Sequence, residues 1–287
     1  IISTDTSCDF PLEYVKQHQL PLVTLFYSID GVTGENGCPS SDVLKNFYDK
    51  MRAGSMTKTQ QASIEDTEKV FREILKEGKD ILHIAFSSGL SGTANAARLA
   101  AENMMEEFPG RKIIVIDSLC ASLGQGLLVD YALKLQQQGK TMEETAKWLE
   151  DHIQNICHLF TVEDLKYLQR GGRISKTTAL VGTMIGIKPV LHVDPEGKLV
   201  SISKVRGRKQ SIQALVNKME ENIGKYRGEK QPIFISHGDC IEDANYLAEL
   251  VKERFGYDEF LINDVGPTIG AHSGPGTLAL FFMGETR

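Results

Sequence analysis

The segment ILHIAFSSGLSGTANAA, residues 81–97, decides how the fold is interpreted. Its first part is an apolar run, which predicts a strand that is buried on both faces of a sheet. The part that begins near Thr93 has the spacing of a helix. Between them two glycines flank Ser91, at the point where the strand gives way to the helix. Ligands bind beyond the carboxyl ends of the strands in an open α/β sheet, so this turn is predicted to carry a functional site.

Strands alternate with helices through the first half of the chain. The predicted strands are 1–4, 20–28, 81–87 and 112–117, and the predicted helices are 40–52, 64–77, 93–108, 122–138 and 141–155. Apolar strands that alternate with helices predict a parallel sheet covered on both faces. We therefore expect an N-terminal three-layer α/β/α domain with a mainly parallel sheet, comprising residues 1–156.

The second half of the chain has a different pattern. Its predicted strands are 189–193, 198–204, 232–236, 259–264 and 277–283, and its predicted helices are 209–225 and 240–255. The sequence DPEG at 194–197 lies between two strand-like runs and predicts a hairpin turn, hence antiparallel pairing. Residues 157–287 are therefore expected to form a C-terminal α/β domain with a mixed sheet, with the boundary near residue 156.

Composition narrows the class of protein. The chain has 287 residues, enough for two domains, with 41% hydrophobic and 24% charged residues, as in ordinary globular proteins. The net charge of −6 argues against a nucleic-acid partner, because phosphate binding needs a basic surface. No apolar run is long enough to cross a bilayer, so at most transient membrane contact is expected.

The cysteines and histidines predict neither a disulfide framework nor a metal site. Five scattered cysteines form no C-x-x-C pair, which favours a reducing, cytoplasmic location. No clustered set of metal ligands is present in the sequence, and no cofactor fingerprint is complete, so no metal and no cofactor are expected.

Ser91 has three interpretations. Its hydroxyl and the unpaired amides at a helix start can hold an anion, and the glycines let the backbone approach closely. Alternatively, Ser91 or Thr93 only caps the helix. The third interpretation is the nucleophile elbow of a serine hydrolase, for which the chain order Ser91, Asp264, His272 is suitable. Thr93 stands where the elbow has its second glycine, which disfavours but does not remove a hydrolase that uses Ser91 and His272.

Two further loops bring hydroxyl and cationic groups. The sequence TKTQQAS at 57–63 supplies Thr59 in a segment without clear periodicity, and RGGRISK at 170–176 places Arg173 beside a double glycine. Arginine at such a turn can neutralise a carboxylate or a phosphate, and the alternative is a solvated basic loop.

The last two motifs are glycine-rich or basic. GPTIGAHSGPG at 266–276 is predicted to be a rigid loop around His272, which can donate to an anion or act as acid or base. KVRGRK at 204–209 contains Arg206, Arg208 and Lys209, which form either a solvated face or a docking patch for an acidic partner or a phosphorylated ligand.

Together these motifs resemble the DegV family of bacterial fatty-acid-binding proteins, over essentially the whole chain. The markers, in order, are STDTSCDFP (3–11), KTQQAS (58–63), SSGLSGT (87–93), VIDS (115–118), YLQRGGRIS (167–175), IKPVL (187–191), RGRK (206–209) and GAHSGPG (270–276). The resemblance implies a two-domain α/β protein without catalytic residues of its own. It would enclose one long-chain fatty acid, such as palmitate, in a buried tunnel between its domains.

The resemblance also implies site residues. Ser91, with the adjacent Gly92, matches the family position that binds the carboxylate, and Thr59 matches the threonine that assists it. Arg173 and His272 match a basic residue and a histidine near the head group. The family often has Thr-Ser-Gln-Pro-Ser where this chain has Thr-Gln-Gln-Ala-Ser, so Gln60 replaces a second hydroxyl.

Two family features stay open at this point. Some members present the bound acid to a separate fatty-acid kinase, which makes an acyl phosphate for phospholipid synthesis, and the motifs do not decide whether this chain does. The apolar stretch TTALVGTMIGIKPVL at 177–191 suits a tunnel wall, and it equally suits ordinary core.

Overall fold

The computed structural model describes residues 1–175 and 186–287. Its strands are β1 (Ile2–Asp5), β2 (Leu22–Val23), β3 (Phe26–Ile29), β4 (Val32–Glu35), β5 (Thr57–Gln60), β6 (Ile81–Ala85), β7 (Ile113–Asp117), β8 (Ile156–Thr161), β9 (Ile187–Val193), β10 (Leu199–Arg206), β11 (Ile233–His237), β12 (Phe260–Asp264) and β13 (Leu278–Met283). Its helices are α1 (Leu12–Gln17), α2 (Ser41–Arg52), α3 (Ile64–Lys76), α4 (Thr93–Glu107), α5 (Leu123–Gln137), α6 (Met142–His152), α7 (Lys166–Arg170), α8 (Arg208–Asn222), α9 (Ile241–Phe255) and α10 (Pro267–Ser273).

The N-terminal strands form the parallel sheet that the sequence predicts. Its order is β2-β1-β6-β7, and every pairing is parallel. Successive residues of β6 point to opposite faces, as in any strand. Ile81 packs with α3 and α4, whereas Leu82 and Ile84 join the cluster that contains α5. Helices therefore cover both faces, and the three-layer arrangement is confirmed.

The C-terminal strands form a six-stranded mixed sheet. The strand order is β10-β9-β8-β13-β11-β12, in which only β11 and β12 pair in parallel among the described strands. The strands β9 and β10 are antiparallel across the turn at 194–197, which confirms the predicted hairpin. Helices α8 and α9 cover one face with an apolar cluster of their own.

Helix α5 lies between the two sheets and packs on both. It contacts β1 and β6 on one side and β8, β11 and β13 on the other. Ten of its fifteen residues are buried, as expected for a helix enclosed on all sides. One hydrophobic cluster consequently joins residues from both predicted domains. The division of the chain near residue 156 stays a prediction, and β8 begins at Ile156.

The predicted strand at 20–28 is wrong as a single element. It divides into β2 and β3, which belong to different sheets, and β3 pairs with β4 and β5 in a small antiparallel sheet. The sequence did not indicate this sheet, because its strands are only four residues long and β5 reads Thr-Lys-Thr-Gln without an apolar face. The segment around Thr59 is thus a strand rather than a loop.

The prediction of a rigid loop at 266–276 is also wrong in part, because α10 occupies most of it. Pro267 starts the helix and Gly274, with a φ of +82°, ends it, which are ordinary helix start and stop signals. Gly270 inside the helix permits close packing, since a Cβ there would lie 2.4 Å from the Tyr48 hydroxyl. His272 is therefore held on a short helix. Among the described residues, no helix has both the length and the apolar character needed to cross a membrane.

Candidate ligand-binding site

A cavity of about 660 Å³ lies between the two sheets, within the size range of small-molecule sites. All five residues predicted for the head-group site line it: Thr59, Ser91, Gly92, Arg173 and His272. They come from the strand β5, the turn before α4, the turn after α7 and the helix α10. The fold thus brings together residues that are up to 213 positions apart in sequence.

Thr59 and His272 form the central pair of this polar end. The Thr59 Oγ1 and His272 Nε2 atoms are 2.7 Å apart. Burial, together with the positive charges of Arg173 and Arg170, lowers the pKa of His272 to about 4, so the ring is neutral at pH 7. A neutral imidazole donates through one nitrogen only. If Nε2 carries the proton and donates to Thr59, the Thr59 hydroxyl keeps its own proton for an anion.

Two of the three interpretations of Ser91 apply together, those of a helix cap and of an anion-binding group. Its Oγ accepts a hydrogen bond from the Thr93 amide at 3.3 Å and lies 2.9 Å from Thr93 Oγ1, so it does help to order the start of α4. The same atom lies at the positive end of the helix dipole, where an anion is stabilised. Gly92 is the residue that precedes α4, and a Cβ at this position would lie 2.2 Å from the Gln61 Oε1 atom.

Arg173 adds a cation from the double-glycine turn. Its Nη2 donates to the Leu90 carbonyl at 3.1 Å, and its Nη1 donates to the Gly171 carbonyl. Burial lowers the pKa of this guanidinium, which is still protonated at neutral pH. Gly171 is required beside it, because a Cβ there would lie 2.0 Å from His272 Nδ1.

The turn before α4 is fixed by the β9–β10 hairpin. A Cβ on Gly89 would lie 2.6 Å from the Glu196 carbonyl oxygen, so only glycine allows this approach. The Ser87 hydroxyl donates to the Gly197 carbonyl at 2.8 Å. The first glycine of the motif therefore serves a backbone contact between the two sheets.

The rest of the cavity is mostly apolar. Its hydrocarbon lining comes from the six-stranded sheet and from helices and turns, among them the turns that follow β6 and β7. It includes Leu25, Phe86, Leu90, Ala121, Phe160, Leu168, Val193, Leu199, Val265, Ile269, Ala279 and Phe281. A cavity with a cluster of hydroxyl, imidazole and guanidinium groups, and with hydrocarbon along most of the remaining wall, matches a ligand with an anionic head and an apolar tail. Most of the predicted tunnel stretch at 177–191 lies outside the described residues, and 187–191 belong to β9.

A family model described as "Uncharacterised protein, DegV family" matches residues 1–285. The chain belongs to the DegV family. A DegV domain-containing protein of Clostridium perfringens is 40% identical over 287 residues, which are 100% of this chain and 98% of that protein. The resemblance drawn from the motifs is confirmed.

Solved structures of DegV proteins have the same fold. A DegV lipid-binding protein of Thermotoga maritima has a TM-score of 0.88 and 29% identity, and the match covers 100% of this chain and 98% of that chain. A DegV protein of Thermus thermophilus, whose structure is described under the words fatty acid binding, has a TM-score of 0.85 and 29% identity. That match covers 99% of this chain and 98% of the other.

Several polar residues of this DegV cavity were missed from the sequence. They are Ser122, His158, Thr268, Ser273 and Thr277. A histidine within the apolar strand ICHLFT was the one available signal. Burial is the main reason why the pKa of His158 lies well below its usual value, and the positive charge of Arg287 is the second.

Ser122 belongs to a buried network behind the cavity wall. Its Oγ lies 2.5 Å from Asp9 Oδ2 and 2.8 Å from Ser236 Oγ, and the Gly266 amide donates to Asp9 Oδ1 at 3.0 Å. Burial raises the pKa of Asp9 to about 8. This network is satisfied by the protein itself.

The three residues considered for a serine-hydrolase triad are hydrogen-bonded to other partners and not to one another. Asp264 accepts a hydrogen bond from Ser41 and lies 3.4 Å from His237, and His272 is hydrogen-bonded to Thr59. Ser91 is paired with Thr93 instead of His272. In the described parts of the chain, no group of three or more His, Cys, Asp or Glu residues is placed to hold a metal ion.

The basic patch is only partly available. Arg206 and Lys209 are exposed. The Arg208 Nε donates to Asp243 Oδ2 at 2.8 Å, and its side chain is 20% exposed. The surface of the patch is therefore Arg206 and Lys209, while Arg208 ties α8 to α9.

Proposed function

We propose that this chain binds one long-chain fatty acid, such as palmitate, in the cavity between its sheets. Thr59, Ser91 and Gly92 hold the carboxylate, and Arg173 and His272 provide the surrounding charge and hydrogen bonding. The observation that carries the proposal is a cavity in which these groups cluster together and most of the remaining wall is hydrocarbon. The descriptions of the Thermotoga maritima and Thermus thermophilus proteins as lipid-binding and fatty-acid-binding support it.

The energetics favour such an amphiphile. Each buried methylene contributes about 0.8 kcal/mol, so an acyl chain provides the main driving force. An unpaired buried carboxylate would be very costly, and hydroxyl donors beside a guanidinium offset that cost. The neutral His272 supports Thr59 as a donor without acting as a base toward Ser91.

The protein acts as a carrier that presents its ligand to a fatty-acid kinase and has no catalysis of its own. The polar end of the cavity is close to the surface: Gln60, Gln61 and Gly92 are exposed while Ser91 is half-buried. A carboxylate held there is within reach of a partner's active site. Arg206 and Lys209 supply an exposed basic contact for an acidic partner. The location is the reducing cytoplasm, which the five free cysteines support.

The test is to identify what co-purifies with the protein. Native mass spectrometry and organic extraction should release a stoichiometric long-chain fatty acid. Protein that is empty and that a fluorophosphonate labels at Ser91 would contradict the carrier and favour the hydrolase.

The kinase step has its own test. Reversing the patch charges with Arg206→Glu and Lys209→Glu should reduce acyl-phosphate formation by an added kinase and keep the extracted fatty acid in place. Loss of the fatty acid in this variant would show that the patch acts on the cavity, and unchanged acyl-phosphate formation would show that the partner docks elsewhere.

A further inference from the structure

Helix α10 carries a large share of the unsatisfied polar atoms. Seven buried side-chain nitrogen and oxygen atoms find no hydrogen-bond partner within residues 1–175 and 186–287, and three of them are on this helix of seven residues. They are Thr268 Oγ1, His272 Nδ1 and Ser273 Oγ. Thr268 is 4% exposed and Ser273 is 5% exposed, and both line the cavity. We refer to Thr268 Oγ1 and Ser273 Oγ as the open hydroxyls.

Other hydroxyls in the same wall are satisfied by the protein. Thr277 Oγ1 donates to the Gly274 carbonyl at 2.7 Å, and Ser122 bonds to Asp9 and Ser236. Buried hydroxyls without a partner destabilise the folded state, so they indicate a polar group that arrives with a ligand. A plain hydrocarbon chain beside the open hydroxyls offers no such group.

The position of the open hydroxyls relative to the head group follows from helix geometry. Thr268 precedes His272 by four residues, so it lies on the same face, about 6 Å away along the helix axis. Ser273 directly follows His272. With the carboxylate held beside His272, a group that meets the open hydroxyls lies on the carboxyl half of the acyl chain and far from its methyl end.

We propose that the cavity accepts hydroxylated long-chain fatty acids, whose chain hydroxyl is bonded by Thr268 or Ser273. This inference rests on the proposed function, since it places the carboxylate at Thr59 and Ser91. A chain hydroxyl both donates and accepts, and the open hydroxyls can do both as well, so each partner can be satisfied. The ligand class is therefore a fatty acid with an oxygen near its carboxyl end.

The experiment measures displacement of a fluorescent fatty acid from the delipidated full chain. The competitors are palmitate, hydroxypalmitates with the hydroxyl between about the third and seventh carbons, and ω-hydroxypalmitate as the distal control. The double variant Thr268→Val with Ser273→Ala removes the open hydroxyls at nearly constant volume. Thr277→Val is the matched control, because it removes a cavity-wall hydroxyl that the protein already satisfies.

In the unmodified protein, the best proximal hydroxypalmitate should bind about as tightly as palmitate, and the ω-hydroxy acid about tenfold more weakly, the equivalent of one hydrogen bond. In the double variant the ratio of proximal-hydroxy to palmitate affinity should fall about tenfold, whereas Thr277→Val should keep that ratio. Proximal acids that bind as weakly as the ω-hydroxy acid, or a ratio that the double variant does not change, would overturn this inference alone. Failure of palmitate itself to bind would overturn the proposed function as well.

Discussion

Two polar regions border the same cavity, and they use their hydrogen bonds differently. Around Asp9, the carboxyl, the Ser122 hydroxyl and the Gly266 amide satisfy one another, and the group is fully buried. Around His272, the Thr59 hydroxyl lies 2.7 Å from His272 Nε2 and lines the cavity, and His272 Nδ1 meets no partner in the described chain. We call the first, formed by Asp9, Ser122 and Gly266, the closed region. We call the second, formed by Thr59 and His272, the incomplete region, because it has spare hydrogen-bonding capacity. Within one cavity, a polar group indicates a binding role when the protein leaves it incomplete.

The largest expected effect comes from opening the closed region. Asp9→Ala leaves the Gly266 amide and the Ser122 hydroxyl without their partner and puts alanine at a φ of +53°. We expect a loss of about 3 kcal/mol in the free energy of unfolding, measured by urea denaturation.

Asp30→Ala is the matched control for this variant. Asp30 has a φ of +50° but is exposed, and its carboxylate accepts a hydrogen bond from the Met56 amide at 3.0 Å. It should cost only about 1 kcal/mol, the usual size of strain plus one exposed turn contact. Equal losses in the two variants would show that backbone strain, and not the buried network, accounts for the Asp9 effect.

The next effect concerns the incomplete region. Thr59→Val combined with Ser91→Ala removes two donors to the carboxylate, so palmitate affinity should fall about 100-fold, at roughly 1.5 kcal/mol for each charge-assisted bond. The free energy of unfolding of the empty protein should fall by only about 1 to 2 kcal/mol, because each hydroxyl contributes a part-buried hydrogen bond, Ser91 with Thr93 and Thr59 with His272. Isothermal titration and urea denaturation of the same delipidated samples check both values.

Thr57→Val is the control on the same strand. The Thr57 hydroxyl donates to the Ala271 carbonyl at 3.2 Å, so it supports α10 without a place in the cavity wall. We expect unchanged palmitate affinity with a small loss of stability. A double variant that keeps full affinity would place the carboxylate elsewhere.

The sequence alone could predict some parts of this structure and not others. Periodicity was sufficient to predict the parallel sheet and most helices, because the spacing of apolar residues in these elements shows which of their faces are buried. It failed at β5, where Thr59 lies in a strand without an apolar face, and at α10, where glycines concealed a short helix. Neither element is stabilised by its own pattern; both depend on packing against distant parts of the chain.

The site residues divide in the same way. Ser91 and Arg173 occur in motifs with glycines that physical reasoning could single out, and the family resemblance joined them to Thr59 and His272. Ser122 stands in a segment that reads as the start of an ordinary helix, and Thr268 and Ser273 lie within the motif GPTIGAHSGPG, where attention went to His272. Whether their hydroxyls are satisfied depends on partners more than 100 residues away, as between Ser122 and Asp9. Whether a buried polar group has a hydrogen-bond partner depends on the tertiary fold, so no local sequence pattern predicts it.

The smallest effect, counted per pH unit, is a pH dependence that distinguishes the two regions. The folded-state pKa of Asp9 is about 8, raised by burial from 3.8. Between these values the folded state holds a proton that the unfolded state has released, so stability falls as pH rises, by about 1.4 kcal/mol per pH unit. His272 has the opposite sign: its pKa of about 4, lowered from 6.5, makes stability fall as pH drops below 6.5.

Asp9→Asn separates these two contributions. Asparagine tolerates the left-handed backbone and is neutral like the protonated acid, so the two proteins should have similar stability near pH 4, and the variant should be the more stable of the two by pH 6.5. Between pH 6.5 and 8 the unmodified protein should lose stability while Asp9→Asn does not, because the variant has no proton to release. Urea denaturation across this range measures the difference. Parallel curves for the two proteins would mean that Asp9 is ionised in the folded state, and the closed region would then hold a buried charge of its own.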